Sequence, residues 1–244
     1  MTDRPILFSG PMVRALLHGR KTQTRRVFSL PTKGVYERPD MGGWEPTING
    51  GGGSFTIGRD GTRIPAPETV GIWHRTTGRC LNAPYQVGDR LYVRERVACG
   101  ACAPGKPSHW SASFWRREQG SSINPNGLWY EADGLSPEKP ITERGRWVQG
   151  MHMPRWASRL TLTVTDVRVQ RLQALREADA IAEGCPGILG PNPDFPDEWD
   201  PSPVEQYREL WDHLNADRGY AWAANPWVVA VSFTIEHRNI DTRG

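Results

Sequence analysis

The pattern of apolar and polar residues predicts several strands. Over 159–169, Leu160 and Leu162 alternate with threonines, which is the period of a long strand packed on both sides. Short apolar runs at 5–8 and 226–235 predict two further strands, the first and the last of the sequence. A pairing of these two strands would close a barrel.

Turn signals define two more strands and two long irregular segments. A Val-Gly-Asp turn leads into an alternating strand at 91–95, and a short apolar strand occupies 128–132. The segments 31–83 and 98–143 are mostly loop-like, so we interpret them as insertions. The prediction is a single domain over 1–244 that contains both insertions.

Helical spacing of apolar residues predicts three short helices. The first begins at Pro11, with Ser9 or Gly10 as its cap, and runs for about two turns to a stop at Gly19. The second helix follows the central strand and covers 175–183. The third covers 203–214 with an apolar face of Val204, Tyr207, Leu210, Trp211 and Leu214. Strands interrupted by short helices and long connections favour an α+β fold.

Charge is unevenly placed along a chain whose net charge is only +3. Basic residues dominate 4–26, and acidic residues dominate 194–212. A basic segment in a nearly neutral protein favours a focused site for phosphate or another polyanion. A solvated surface with structural ion pairs explains the same pattern, so both interpretations remain open.

Composition argues against several classes of protein. No apolar run approaches the roughly 18 residues that a membrane-spanning helix needs. Residues 1–5 lack the layout of a secretory signal, and four Cys in 244 residues do not make a disulfide scaffold. We therefore expect a cytoplasmic protein with reduced thiols that does not act at a membrane.

A zinc site is a weak alternative within the second insertion. Cys99 and Cys102 form a Cys-x-x-Cys pair, which Cys80 and His109 would complete to four ligands. A second Cys-x-x-Cys pair is missing, and half of a motif is a weak signal. We therefore expect no metal and no cofactor.

The densest chemistry directly follows the predicted stop of the first helix. This segment contains two threonines and four cations, Arg20, Lys21, Arg25 and Arg26. In one interpretation the cations bind phosphates while the hydroxyls add hydrogen bonds. In another, Lys21 is the base that activates a Thr24 nucleophile. An ordinary basic turn is the third interpretation.

The nucleophile interpretation makes two physical demands. The lysine amine must be neutral, because an unperturbed amine is protonated near pH 7 and accepts no proton. Burial and neighbouring cations favour the neutral form, and the three arginines of the segment supply such cations. Lys21 must also reach Thr24, three residues later. A turn or a helix end allows this, whereas a straight strand puts the two on opposite faces.

A second candidate surface combines an aromatic ring with cations. Trp156 lies between Arg155 and Arg159, so a nucleic-acid base that stacks on the ring would have guanidinium groups beside its phosphates. Packing of Trp156 in the core is the alternative. Glu95, at the end of its strand, is a second candidate for a carboxylate in the site that contains Lys21. Alternatively, Glu95 pairs with an arginine across the sheet.

Five ordered blocks between residue 5 and about residue 237 resemble phage-encoded ASCH-domain proteins. The two insertions lie outside this resemblance. The blocks are PILFSGPMV with GRKTQTRR (5–13 and 19–26), GDRLYVRE (88–95), HMPRWASR (152–159), DAIAEG (179–184) and NPWVV (225–229).

The resemblance implies a PUA-like (ASCH) mixed β-barrel with short flanking helices that binds RNA or modified nucleotides. One branch, similar in its Gly-Arg-Lys-Thr-x-Thr element, hydrolyses N-acetylcytidine to cytidine with a Lys, a Thr and a Glu. Carried over, these residues fall on Lys21, Thr24 and, after the central strand, Glu183. A helix-end glutamate paired with an arginine is the alternative for Glu183. The enzymes of that branch are far smaller than this chain.

Three functions follow as hypotheses. The first is an amidohydrolase that removes an acyl group from the exocyclic amine of a modified cytosine. The alternatives are a module that binds RNA or a modified nucleotide without catalysis, and a ribonuclease. The partner is a modified nucleoside, RNA or single-stranded DNA. Salt discriminates among them, because the binding of a polymer falls steeply with salt while a free nucleoside makes few phosphate contacts.

Overall fold

The computed structural model describes residues 2–31, 43–99, 128–134, 147–187 and 201–242. These residues form a strand-rich mixed α+β structure with a few short helices, which confirms the predicted fold class. No helix among them is long and apolar enough to cross a membrane. The strands are β1 (Asp3–Leu7), β2 (Gln23–Val27), β3 (Trp44–Asn49), β4 (Phe55–Ile57), β5 (Arg63–Pro65), β6 (Thr69–His74), β7 (Cys80–Asn82), β8 (Arg90–Arg94), β9 (Val97–Cys99), β10 (Leu128–Tyr130), β11 (Thr161–Arg171) and β12 (Trp227–Glu236). The α-helices are α1 (Gly10–Leu17), α2 (Glu177–Ala182) and α3 (Pro203–Asn215).

The chain divides into two units, each built from separated segments. The second unit consists of Thr22–Val87 and Val164–Phe233. The prediction of a single domain over 1–244 therefore stays a prediction. The first unit consists of Met1–Lys21, Gly88–Thr163 and Thr234–Gly244.

The first unit is organised around β8. Strand β1 pairs with β8 in parallel, with Ile6 opposite Val93. The beginning of β11 pairs with β8 antiparallel, with Thr161 opposite Tyr92. These central positions are buried, as expected where a strand has neighbours on both edges. A further group of buried apolar side chains in this unit consists of Val97, Met153 and Ala157.

Helix α1 begins and ends where the local signals predict. Ser9 is its N-cap, and Pro11 lies in the first turn, where a missing N–H group costs no hydrogen bond. The His18 N–H donates to the Arg14 carbonyl at 3.0 Å. Gly19 then adopts a φ of +68°, a left-handed conformation that ends the helix.

The second unit is organised around β12, the predicted last strand. Strand β12 lies between β11 and β2, and it pairs with β2 antiparallel, with Val231 opposite Thr24. Both edges of β12 are therefore occupied. The expected pairing of the first and last strands is wrong, because β1 pairs with β8 instead. No closed barrel is present among the described residues.

The first predicted insertion contains short antiparallel strands in its described part. Strands β3, β6 and β7 form one sheet, and β4 and β5 form a separate two-stranded ribbon. This agrees with the expectation of loops and short hairpins. In the second predicted insertion, β9 pairs with β10 antiparallel, and 100–127 and 135–146 lie outside the described residues.

Helix α3 supplies the main aromatic contacts of the core in the second unit. Tyr207 and Trp211 are each 3% exposed and pack with buried residues from α2 and β12. The predicted apolar face is wrong at its end, because Leu214 is 43% exposed and Asn215 is buried instead. The Trp211 indole N–H donates to the Tyr220 carbonyl, so the returning chain covers the Asn215 side of the helix.

We expect Trp211→Ala to lower the free energy of unfolding by about 3–5 kcal/mol, because it leaves a large cavity in the core. Leu214→Ala, from the same helix, is the matched control and should change it by less than about 0.5 kcal/mol. Urea unfolding followed by circular dichroism measures both. Equal losses in the two variants would contradict the assignment of Leu214 to the surface.

Candidate functional site

A completely buried guanidinium lies between β2 and α2 in the second unit. The Arg25 side chain has no exposed surface, and its Nη1 atom donates to Glu183 Oε1 at 3.3 Å. Its Nη2 atom lies 3.2 Å from Asp179 Oδ2 in an ion pair. Asp179 lies in the first turn of α2 and Glu183 is its C-cap, four residues or about one helical turn later, so both face the same cation. A buried charge needs such pairing to offset its loss of hydration.

Gln23 fixes the other side of this guanidinium. Its Oε1 atom accepts from Arg25 Nη1 at 2.5 Å, and its Nε2 atom donates to Ser232 Oγ at 3.1 Å. Gln23 and Arg25 are two residues apart on β2 and therefore share a face of the strand. The Tyr207 ring centroid lies 6.0 Å from the guanidinium carbon. Burial raises the pKa of Tyr207 well above its ordinary value, and the nearby Glu183 raises it further.

Asp179 connects this cluster to β11. Its carboxylate accepts from the Arg176 N–H at 3.2 Å and from Arg168 Nη2 at 3.1 Å. Burial raises the pKa of Asp179, but the Arg176 N–H, Arg25 and Arg168 together bring it below its ordinary value. Asp179 therefore acts as an anion that caps α2 and pairs with two cations.

Thr24 is 3% exposed and lies between Gln23 and Arg25 on β2. Strand alternation places its side chain on the opposite face from theirs. The structure therefore brings Glu183 together with Gln23 and Arg25, and it puts Thr24 on the other face of the strand.

Lys21 ends the first segment of the first unit and is fully buried, with 0% exposure. The N–H groups of Arg20 and Lys21 both donate to the Ala15 carbonyl, at 2.9 and 3.1 Å, so the chain folds back under the end of α1. The Lys21 Nζ atom lies 5.7 Å from the centroid of the buried Phe8 ring. Arg20 is exposed, unlike Lys21.

The next residue, Thr22, begins the second unit. Its N–H donates to the Ala182 carbonyl at 2.8 Å, and its own carbonyl accepts from the Phe233 N–H at 2.9 Å. Its side chain is exposed. The backbone between Lys21 and β2 is thus fixed by the residue that directly precedes Glu183. Arg26, on β2, is half-buried and lies opposite Val229.

Glu95 forms a second buried ion pair, in the first unit. It is 1% exposed, and Arg159 donates to both of its oxygens, at 2.9 and 3.1 Å. Arg159 also lies 2.7 Å from Asp133 and stacks 4.0 Å from the Tyr130 ring centroid. Burial raises the pKa of Glu95, which the Arg159 contact opposes, and burial raises the pKa of Tyr130 to about 12. The arginine pairing that sequence offered as an alternative for Glu95 is present.

Arg155 joins the beginning and the end of the first unit. Its Nε atom donates to both oxygens of Asp241 at 3.0 Å, and its Nη2 atom pairs with Asp3. These acids raise the pKa of Arg155, and the hydrogen bonds from Arg155 lower the pKa of Asp241. Trp156 is half-buried and packs on the core group that contains Met153. This segment therefore makes structural contacts within its own unit.

The weak zinc alternative gains no support from the described residues. Cys80 is an exposed free thiol, while Cys102 and His109 lie outside the described residues. No group of three or more metal-ligating side chains occurs in the part of the chain that the structure describes.

Sequence reasoning missed three members of the Arg25 cluster, namely Gln23, Asp179 and Tyr207. The spacing of Asp179 and Glu183 was a usable signal, because two acids one helical turn apart select a cation between them. A comparison of the chain with protein-family models, with curated proteins and with solved structures finds no match.

The Arg155 pair generates a pH-dependent prediction. Because the pKa of Asp241 is lowered in the folded protein, the pair stabilises the fold above the ordinary pKa near 3.8 and loses this contribution as pH falls through the lowered value. Arg155→Met should raise the pKa of Asp241 towards its ordinary value, as measured by carboxyl NMR titration. Arg238→Met, whose guanidinium pairs with Glu236, is the control and should leave the titration of Asp241 unchanged. An unchanged titration in Arg155→Met would contradict the pairing.

Proposed function

We propose that this chain is an ASCH-type, PUA-like protein that removes an acyl group from the exocyclic amine of a modified cytosine. The observation that carries the proposal is the complete burial of the Lys21 side chain. Lysines almost always keep their ammonium group in water, so a fully buried lysine three residues before a threonine hydroxyl is a candidate base. The α+β fold with its strand, short helix and strand at residues 3–27 is compatible with the proposed family.

The proposed reaction proceeds through an acyl-enzyme. Lys21, as the base, accepts the hydroxyl proton of Thr24, and Thr24 Oγ attacks the amide carbonyl carbon of the substrate. The carbon–nitrogen bond then breaks, and the exocyclic amine leaves with a proton returned from Lys21. Water hydrolyses the ester on Thr24 and releases the carboxylic acid. The overall change is an acylated cytidine plus water to cytidine plus the acid, and it needs no cofactor.

Glu183 has an orienting role in this proposal. It is 4% exposed and its carboxylate is held by Arg25 at 3.3 Å. A buried carboxylate in a fixed position can accept hydrogen bonds from the Lys21 amine or from the exocyclic amine of the substrate.

The arginine contacts favour a small substrate over a nucleic-acid polymer. Arg25, Arg155 and Arg159 each pair with two carboxylates in the described residues. A guanidinium neutralised in this way contributes little to phosphate binding, which depends on uncompensated cations. The sequence-based expectation of a phosphate site therefore receives less support than the expectation of an amidohydrolase.

The test is hydrolysis of N-acetylcytidine and a panel of acylated cytidine and deoxycytidine analogues, with the product read by chromatography. We expect turnover by the wild type and a loss of at least about 100-fold in kcat for Lys21→Met and Thr24→Val, because each removes a group that takes part in bond making or proton transfer. Thr22→Val is the matched control, since it removes an exposed hydroxyl from the same segment, and it should retain wild-type activity.

Two outcomes would contradict the proposal. One is an absence of turnover on every analogue by a folded wild-type protein. The other is equal activity of Thr22→Val and Thr24→Val. The protein would then be tested for binding to single-stranded RNA at 50 and 200 mM salt. A fall in affinity of roughly 10-fold or more between these concentrations would favour the nucleic-acid-binding alternative.

A further inference from the structure

We infer that Arg25 is a positioning residue for the proposed reaction, which holds the Glu183 carboxylate in one orientation. The inference rests on the proposed function. Arg25 has no exposed side-chain surface, so it cannot itself meet a substrate in solution, and any effect on the reaction must pass through a neighbour. Glu183 is the neighbour that the proposed reaction uses.

The geometry fixes the guanidinium on both sides. Nη1 contacts Glu183 on α2 at 3.3 Å and Gln23 on β2 at 2.5 Å. Gln23 is itself held by Ser232 on β12 at 3.1 Å, so its amide oxygen points towards Arg25. Rotation of the guanidinium would break contacts with two separate elements. The Glu183 carboxylate therefore meets a cation whose position is set by the sheet rather than by the helix.

The charges around this pair come from several elements. Asp179 shares the Arg25 cation with Glu183, and Arg168 on β11 pairs with Asp179 from a more exposed position, with 43% of its side chain exposed. Tyr207 on α3 packs on the guanidinium. Without the Arg25 cation, the buried Glu183 and the partly buried Asp179, one helical turn apart, would repel each other.

The burial of Arg25 has an energetic cost that an apolar residue at this position would avoid. Among the described residues, Nε of Arg25 is buried without a hydrogen-bond acceptor, while Nη2 meets Asp179 only in the 3.2 Å ion pair. An apolar side chain would fill this space without leaving donors unsatisfied, and such a replacement of buried charges is often neutral or stabilising. Local violations of this kind are expected at functional sites. The fully buried cation is thus better explained by the carboxylate that it holds than by stability.

The test compares Arg25→Lys, Arg25→Gln and Arg168→Gln in the acylated-cytidine assay. Arg25→Lys keeps the charge but loses the fork whose Nη1 atom contacts Glu183 and Gln23 and whose Nη2 atom pairs with Asp179. We expect kcat to fall by about 10-fold in Arg25→Lys and about 100-fold in Arg25→Gln, with KM within about 3-fold of the wild type. Arg168→Gln removes a cation from the same Asp179 but leaves Arg25 in place, and it should stay within about 2-fold of the wild type.

The outcomes separate this inference from the proposed function. Turnover by the wild type with unchanged kcat in both Arg25 variants, or a loss that lies in KM alone, would overturn the positioning role while the function stands. An equal loss in Arg168→Gln would also overturn it, because the effect would then belong to the whole cluster. No turnover by the wild type would overturn the proposed function and this role with it. Circular dichroism establishes that each variant is folded, and if Arg25→Gln does not fold, the kcat and KM of Arg25→Lys decide.

Discussion

A cation that is removed from water must be compensated, and the second unit is arranged around this constraint at Arg25. The guanidinium brings together β2, which carries it, and α2, which supplies its two acids. Gln23 and Ser232 extend the same hydrogen-bonded network to β12. The register between β2 and β12, the position of α2 and the packing of Tyr207 on the guanidinium all satisfy one buried charge. A one-residue slip of β2 would move Arg25 to the other face of the strand and leave both carboxylates unpaired.

In the first unit, carboxylates likewise compensate the charge of arginines, both at the surface and in the interior. Arg159 is shared between the buried Glu95 and the more exposed Asp133, and Arg155 between Asp3 and Asp241. In sequence these arginines form part of a basic, aromatic segment that resembles a nucleic-acid surface. Their acidic partners come from positions 26 to 152 residues away, so counting charges along the chain cannot detect the neutralisation. Arg155 and Arg159 are therefore neutralised within their own unit, whereas Arg20 in the basic segment at 4–26 is exposed, and the expectation of a phosphate site stays a prediction.

Local signals predicted the elements of the fold well, and long-range pairing poorly. Pro11 and Gly19 gave the limits of α1, because backbone conformation at these residues depends on their own covalent structure. The barrel closure failed because strand partners depend on which edges remain available in three dimensions. Leu214 was assigned to the core because helical periodicity cannot show where the following chain returns. At the site, sequence identified Lys21, Thr24 and Glu183 as candidates, but the role of Arg25 required the contacts themselves.

The first unit is assembled from the beginning, the middle and the end of the chain, with the carboxylates of Asp3 and Asp241 meeting on one side chain. During synthesis on the ribosome, the residues of β1 emerge early but must wait for most of the polypeptide before the segment after β12 is available. Contacts of such long sequence separation are slow to form, because the entropy of closing the intervening chain is lost before they contribute. Until then the apolar strand pairs of this unit have exposed edges, a state that is prone to aggregation.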